Sequence, residues 1–288
     1  MKKQLFKVTE ETELLSFLLA KIDRGRNYIK GVLARGQVYV DGNQEKRYNA
    51  MLTPGQSVEV LKQAPISVKF SGMRIMFEDE DIIVINKEVG LLTIASKKGE
   101  KQLTAYRQLM AYVQQSNPKA RIFIVHRLDR DTSGVMIFAK NERTKHALQE
   151  NWKHLVKERA YIALVEGKVK KQQDTITSWL KETKTHQMYI SKNAQGAKQA
   201  VLHYTVMDQS SHYSLLRVTL ETGRKNQIRV QLASIGHPVV GDKKYQATTN
   251  PIGRLGLHAS VLRIRHPWTK EFFSFESPIP KRFKVKGL

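Results

Sequence analysis

The chain contains no cysteine. That excludes a disulfide framework, a thiolate nucleophile and thiolate-held zinc, so any chemistry must come from Asp, Glu, His, Ser, Tyr, Lys or Arg. It also lacks any apolar run approaching the ~18 residues of a membrane-spanning helix, and any basic helix with a Trp and Phe face to lie on a bilayer. The opening residues, MKKQLFKVTEETELL, have no long apolar stretch and no small-residue cleavage site, which reads as a cytoplasmic protein without a membrane partner. Acids are scarce: 26 Asp plus Glu face 49 Lys plus Arg, a formal charge of +23 over 288 residues. Such an excess goes beyond solubility and calls for a polyanion, nucleic acid first. Internal repeats, low-complexity tracts and long blocks of like charge are missing as well. The length suits one large domain, or a large one with a small companion, and either can bury a core.

What is present starts with a small unit at residues 1–63. A first helix is expected where Glu10, Glu11 and Glu13 meet the favourable end of the helix dipole, with Leu14, Leu15, Phe17, Leu18, Leu19 and Ile22 inward. A second follows, with Asn27 as its cap and Gly36 just past its end. The stretches QVYVDG and PGQSVEVL then alternate as strands bounded by turns. Lys21, Arg24, Arg26, Lys30 and Arg35 crowd the helices. Any one of them would suit an ordinary solvated face, but together in so short a unit they favour a phosphate-binding surface. Residues 26–42, RNYIKGVLARGQVYVDG, resemble the core of the S-four-type RNA-binding domain, in which two basic helices lie on structured RNA.

A Pro-containing change of pattern places a linker at residues 64–70, and residues 71–288 form the large domain. IMFEDEDIIVINKEVGLLTI reads as strands, QLTAYRQLMAYVQQ as an amphipathic helix with Leu103, Tyr106, Leu109, Met110 and Val113 inward, ERTKHALQENWKHL as another helix and ERAYIALVEGKV as a strand. Residues 200–275 alternate mostly as strands, Arg229 among them. Helices are too few for regular βαβ crossovers, so the expected class is α+β, a mainly antiparallel mixed sheet.

Between the apolar runs IFIV and VMIFA lies HRLDRDTSG, a tight charged connection over residues 126–134. Read alone, Asp129 and Asp131 could simply cap a turn. A serine-hydrolase elbow is excluded because DTSGV lacks the first Gly, a phosphate loop occurs nowhere, and no second His cluster supports a metal site.

HRLDRDTSG resembles the His-Arg-Leu-Asp-x-x-Thr-Ser-Gly signature of the RluA family of RNA pseudouridine synthases. KERAYIALVEG, TGRKNQIRVQLASIGHPVVGD and GLHASVLRIRHPWTKEFFSFESPIP agree with that family in order, so the resemblance covers nearly the whole chain. It implies that Asp129 is the carboxylate nucleophile, that Tyr161 lies against the base, and that Arg229 pairs with Asp129. It implies that Arg127 enters the RNA stack where the target base has left, with Leu128 a packing residue. This chain departs from the family's usual Thr-His and His, having Lys225, Asn226 and Gln231 instead. Lys225 and Asn226 are therefore expected beside bound RNA, with a bearing on substrate choice.

The resemblance further implies isomerisation of uridine without metal or organic cofactor, and a monomer is expected because nothing in the sequence resembles a coiled coil or an interface helix. Large-subunit ribosomal RNA is the first expected substrate and transfer RNA the alternative. A non-catalytic RNA-binding or ribosome-assembly factor is the reading from another class.

Overall fold

The computed structural model describes residues 3–62, 69–95 and 102–285. The chain divides into two compact units, Met1–Lys69 and Phe70–Leu288. Most of the expected linker lies outside the described residues; Phe70, at its end, packs its ring against Tyr112 in the larger unit.

In the smaller unit, helices Leu14–Lys21 and Arg26–Ala34 pack over a sheet ordered Lys3–Lys7, Ser57–Leu61, Val38–Val40, Asn43–Gln44. Leu14, Leu18, Ile29, Leu33, Val38 and Val58 form its core. The first helix begins later than the acids suggest. Thr12–Glu13 is extended and pairs with Met51–Leu52, and the Leu14 and Leu15 amides donate to Ala50 and Tyr48. Those partners satisfy donors that an earlier helical turn would have used. The cap of the second helix is Gly25 rather than Asn27, which sits inside the first turn. Gly36 does end that helix, with φ of 69°; a Cβ there would lie 2.7 Å from Gln44 Nε2.

The larger unit is built on an eleven-stranded sheet. Its main path runs Met188–Ser191, Gln173–Glu182, Lys198–Gln209, Tyr213–Leu220, Val156–Glu166, Leu257–Arg265, Ser133–Ala139, Ile82–Lys87, Met73–Glu78. Every pairing is antiparallel except one. Ser133–Ala139 runs parallel to Leu257–Arg265, and only Ser133 and Gly134 pair, with His258 and Ala259. Beyond that point each strand takes another partner: Phe123–Ile124 on the first and Phe272–Glu276 on the second. The sheet forks there, and Val135, Ile137, Leu262, Ile264 and Phe275 pack together beyond the junction. Gly134 is what allows the close approach: its φ is 114°, and a Cβ would stand 2.0 Å from the Ala259 carbonyl oxygen.

Ala105–Ser116 lays Leu109 and Val113 against Ile83, Ile85, Met136 and Phe138. Thr104 caps it by accepting from the Arg107 amide at 3.1 Å, so Leu103 precedes the helix and is exposed rather than inward. The other expected helix is two pieces, Glu142–Glu150 and Trp152–Leu155, joined at Asn151. Residues 200–275 are not strand throughout: Gln227–Ser234 is a helix, and Arg229 lies on it. Ile228, Val230 and Leu232 alternate like a strand because Gln227 and Gln231, read as polar, are buried too. Their amides donate to the Val201 carbonyl at 3.0 Å and the Ala200 carbonyl at 3.1 Å. Once those donors are satisfied, a glutamine can occupy a core position and complete the helical face.

Candidate active site

The charged loop before Ser133–Ala139 is anchored through its backbone. The Leu128 carbonyl accepts from Thr93 Oγ1 at 2.9 Å, that of Asp129 from the Thr132 amide at 3.2 Å, and that of Arg130 from Lys87 Nζ at 3.0 Å. Leu128 itself is buried, and so is the entire Lys87 side chain. The Lys87 ammonium spends its three protons on the carbonyls of Glu88, Leu91 and Arg130. Burial pulls Lys87 down to about 8, against the field of Asp131 and Asp129. A buried cation bonded to three carbonyls ties the end of Ile82–Lys87 to the residue after Asp129.

Asp129 is held from one side only. Its Oδ2 accepts from Arg229 Nη1 at 3.0 Å and from Asn226 Nδ2 at 2.5 Å. Its Oδ1 takes no hydrogen bond from the described residues. Arg229 turns the rest of its fork to Asp242, with Nε at 2.6 Å and Nη2 at 2.7 Å, and its guanidinium lies 5.2 Å from the Tyr245 ring centre. Burial opposes its charge, yet the hydrogen bonds to Asp242 and the fields of Asp242 and Asp129 raise its pKa further. Asn226 caps the helix in a left-handed conformation, φ 51°, and its Oδ1 accepts from the Tyr245 hydroxyl at 3.2 Å. One carboxylate oxygen is thus fixed and the other left open.

Tyr161 comes from the strand Val156–Glu166. A bulge against Leu257–Arg265 at Ala160 and Tyr161 resets the register, and Tyr161 packs where two apolar clusters meet. Burial raises its phenol pKa, with Arg159 opposing and Asp129 adding to the shift. Tyr161, Asp129 and Arg229 all line one cleft of about 680 Å³, with Arg127, Leu128, Lys225 and Asn226.

The fold thus gathers the residues chosen from the large domain. Arg127 is exposed at the cleft wall. Lys225 is engaged with Glu182 at 2.6 Å. Asn226 lines the same cleft and donates to Asp129. Arg24, Arg26, Lys30 and Arg35 lie exposed in the other unit, where Lys30 stands 5.1 Å from the half-exposed Tyr48 ring and Arg24 5.9 Å from Tyr28. Asp242, Tyr245 and Lys87 were not anticipated. Their one sequence signal is position: Asp242 ends HPVVGD, and Lys87 closes an apolar strand where a charge is out of place. Among the described residues no cluster of His, Asp and Glu is arranged to hold a metal, and no helix is long and apolar enough to cross a membrane.

Two histidines brace the loop as neutral rings. His126 Nε2 accepts from the Ile137 amide at 3.2 Å, and burial with Arg159 nearby pushes its pKa down to about 3. His258 accepts from Ser133 Oγ at 2.8 Å and donates to the Ser277 carbonyl at 3.3 Å, while Arg254 donates to Ser133. Burial takes His258 from 6.5 to about 4. Because the unfolded chain binds the proton more readily, stability from this ring is complete above pH 6.5 and drains as pH falls toward 4. That amounts to a loss on the order of 3 kcal/mol. Thermal unfolding followed from pH 7 to 4 should show this decline together with that of His126, and His258→Gln should remove the His258 share alone.

A carboxylate kept half open by a buried guanidinium, with a phenol in the same basic cleft, belongs to an enzyme that does chemistry on a nucleic acid. For simply holding RNA, an anion there would be a liability. Residues 81–234 match the RNA pseudouridylate synthase family. An RNA pseudouridine synthase of Aquifex aeolicus is 34% identical over 299 residues, covering 97% of this chain and 94% of its own. Ribosomal large subunit pseudouridine synthase D of Haemophilus ducreyi is 30% identical, covering 91% and 85%. The solved structure of human RNA pseudouridylate synthase domain containing 1 superposes with a TM-score of 0.57 at 28% identity, over 72% of this chain and 83% of that one. The chain belongs to the RNA pseudouridine synthase family, and its activity is that of an isomerase acting on RNA.

Proposed function

We propose that this chain isomerises uridine in large-subunit ribosomal RNA, as a member of the RluA branch, with Asp129 as its reactive carboxylate. The observation that carries the site assignment is the asymmetry of Asp129: Oδ2 is bonded to Arg229 and Asn226, and Oδ1 is left for substrate. The reaction breaks the bond between ring nitrogen one and the sugar, turns the base, and joins ring carbon five to the sugar. The proton lost from carbon five is balanced by one gained at the freed nitrogen, so the product is an isomer and no oxidant or energy source enters. Arg229 keeps the carboxylate oriented and compensates its charge. Tyr161, with its phenol held protonated by burial, lies against the base and serves proton transfer at carbon five. Arg127, exposed beside the cleft, fills the gap left by the extruded nucleotide.

Ribosomal RNA is favoured by the Haemophilus ducreyi relative, whose name carries that substrate and which matches across 91% of this chain. The smaller unit serves as an S-four-type RNA-binding domain, with Arg24, Arg26, Lys30 and Arg35 on phosphates and Tyr28 and Tyr48 offering rings for stacking. The chain acts as a monomer in the cytoplasm.

The test is tritium release from RNA labelled at uridine carbon five, with ribosomal and transfer RNA transcripts side by side. Release from the ribosomal pool alone is expected. Release from transfer RNA alone would reassign the substrate, and silence in both pools despite salt-sensitive binding would return the chain to the assembly-factor class.

A further inference from the structure

Asp129 does not sit at the bottom of a single cleft. It stands between two cavities that share Asp129, Lys225, Asn226 and Arg229, one of about 680 Å³ and one of about 750 Å³. The first has the surfaces a pyrimidine needs, with Leu128, Tyr161, Ile228 and Leu257 in its wall. The second differs in kind. Arg130, Lys243, Lys244 and Arg254 border it, along with Asp131 and Asp242.

Its acids are already committed. Asp242 is taken by Arg229, and Asp131 by Arg130 at 3.0 Å. The remaining cations are not matched. The Lys243 ammonium has no hydrogen-bond or ion-pair partner among the described residues, its backbone amide alone donating, to the Gly241 carbonyl at 3.2 Å. Lys244 reaches only neutral oxygens, the His186 carbonyl at 3.2 Å and Asn226 Oδ1 at 3.4 Å. Arg254 likewise donates to the Leu255 and Leu257 carbonyls and to Ser133. Burial first, then repulsion by Arg229 and Lys225, lowers the Lys244 pKa, with Asp129 and Asp242 opposing the shift.

The connectivity of a nucleotide explains why the cavities meet where they do. In RNA the sugar lies between base and phosphate, and the bond that breaks joins base to sugar. A carboxylate that works at that bond must have a site for the base on one side and a site for a phosphate on the other. We propose that the second cavity is that phosphate site: the target uridine lies across Asp129, its base in the first cavity and a flanking phosphodiester on Lys243 and Lys244. This rests on the reading of the chain as a uridine isomerase with Asp129 at its centre.

The test couples protein charge to one RNA charge. Transcripts containing the modified uridine are made with a neutral methylphosphonate at its 5′ or its 3′ phosphate, and kcat/KM is measured for the unaltered chain and for Lys243→Met/Lys244→Met. Neutralising the bound phosphate should lower kcat/KM about tenfold in the unaltered chain, and the paired substitution should cost a similar factor on all-phosphate RNA. Combined, the two should cost little more than either alone, because they remove the same contact. Lys170→Met, which changes an exposed lysine outside both cavities, should show no such coupling. Additive losses at both phosphates overturn the assignment of the cavity while leaving the enzyme reading intact. No turnover of all-phosphate RNA by the unaltered chain overturns the enzyme reading, and this assignment with it.

Discussion

Asp129→Asn should bind substrate RNA at least as well as the unaltered chain and release no tritium from it. The amide is the same size as the carboxylate, and its oxygen can still accept from Arg229 and Asn226, so neither the loop nor the helix cap loses its partner. Asn226 and Arg229 remain where they are because Asp242 and Tyr245 hold them independently. What vanishes is the open oxygen with its charge. An amide nitrogen there is neither a nucleophile nor a stabiliser of positive charge on the sugar, so the rate should fall on the order of 10⁴-fold or more. Binding should tighten slightly, since one negative charge facing a polyanion is gone. Filter binding and single-turnover tritium release check the two halves separately. Turnover within about tenfold of the unaltered chain would remove Asp129 from the chemistry.

Arg229→Met should be the most destabilising substitution in the cleft as well as a severe loss of rate. Its guanidinium bridges two carboxylates, and Asp242, 1% exposed, has no other side-chain partner among the described residues. Removing the cation leaves a buried anion uncompensated, which costs about 3–5 kcal/mol. The rate should drop by about 10²–10³, because Asp129 keeps only Asn226 to orient it. Adding Asp242→Asn separates the two effects. With the buried charge gone, urea unfolding should recover most of the lost stability, while turnover stays low because nothing replaces Nη1 at Asp129. Recovery of both together would make Arg229 a fold residue only. A steeper salt dependence of binding is not expected, since Arg229 faces protein carboxylates rather than phosphate.

The site was legible as identities before it was legible as geometry. Asp129, Tyr161 and Arg229 could be named because they stand in motifs whose residue order is distinctive, and the fold brings them to one cleft. Asn226 illustrates what order alone misses. Its departure from the family pattern marks it as a residue of the cleft, while the left-handed helix cap that turns its amide onto Asp129 leaves no trace in the order of residues. Asp242 follows Arg229 by thirteen residues and its role depends on the chain doubling back after the helix. Arg229 itself was placed on a strand because two buried glutamines broke the helical period, and whether a glutamine is buried depends on which carbonyls the sheet presents to it.

By itself the sequence determined the class of partner, through a charge of +23, the absence of thiol chemistry, the division into a small and a large unit, and the alternating pattern of a mainly antiparallel sheet. These follow from composition and local period, which act on neighbours along the chain. Only the tertiary structure decided that Ser133–Ala139 and Leu257–Arg265 meet in parallel for two residues and then part, that Lys87 is buried beneath the loop, and that Asp129 lies between two cavities. Each of these depends on groups far apart in sequence satisfying one another's charge, donors or space. A side chain carries no local mark of the partner that will do so.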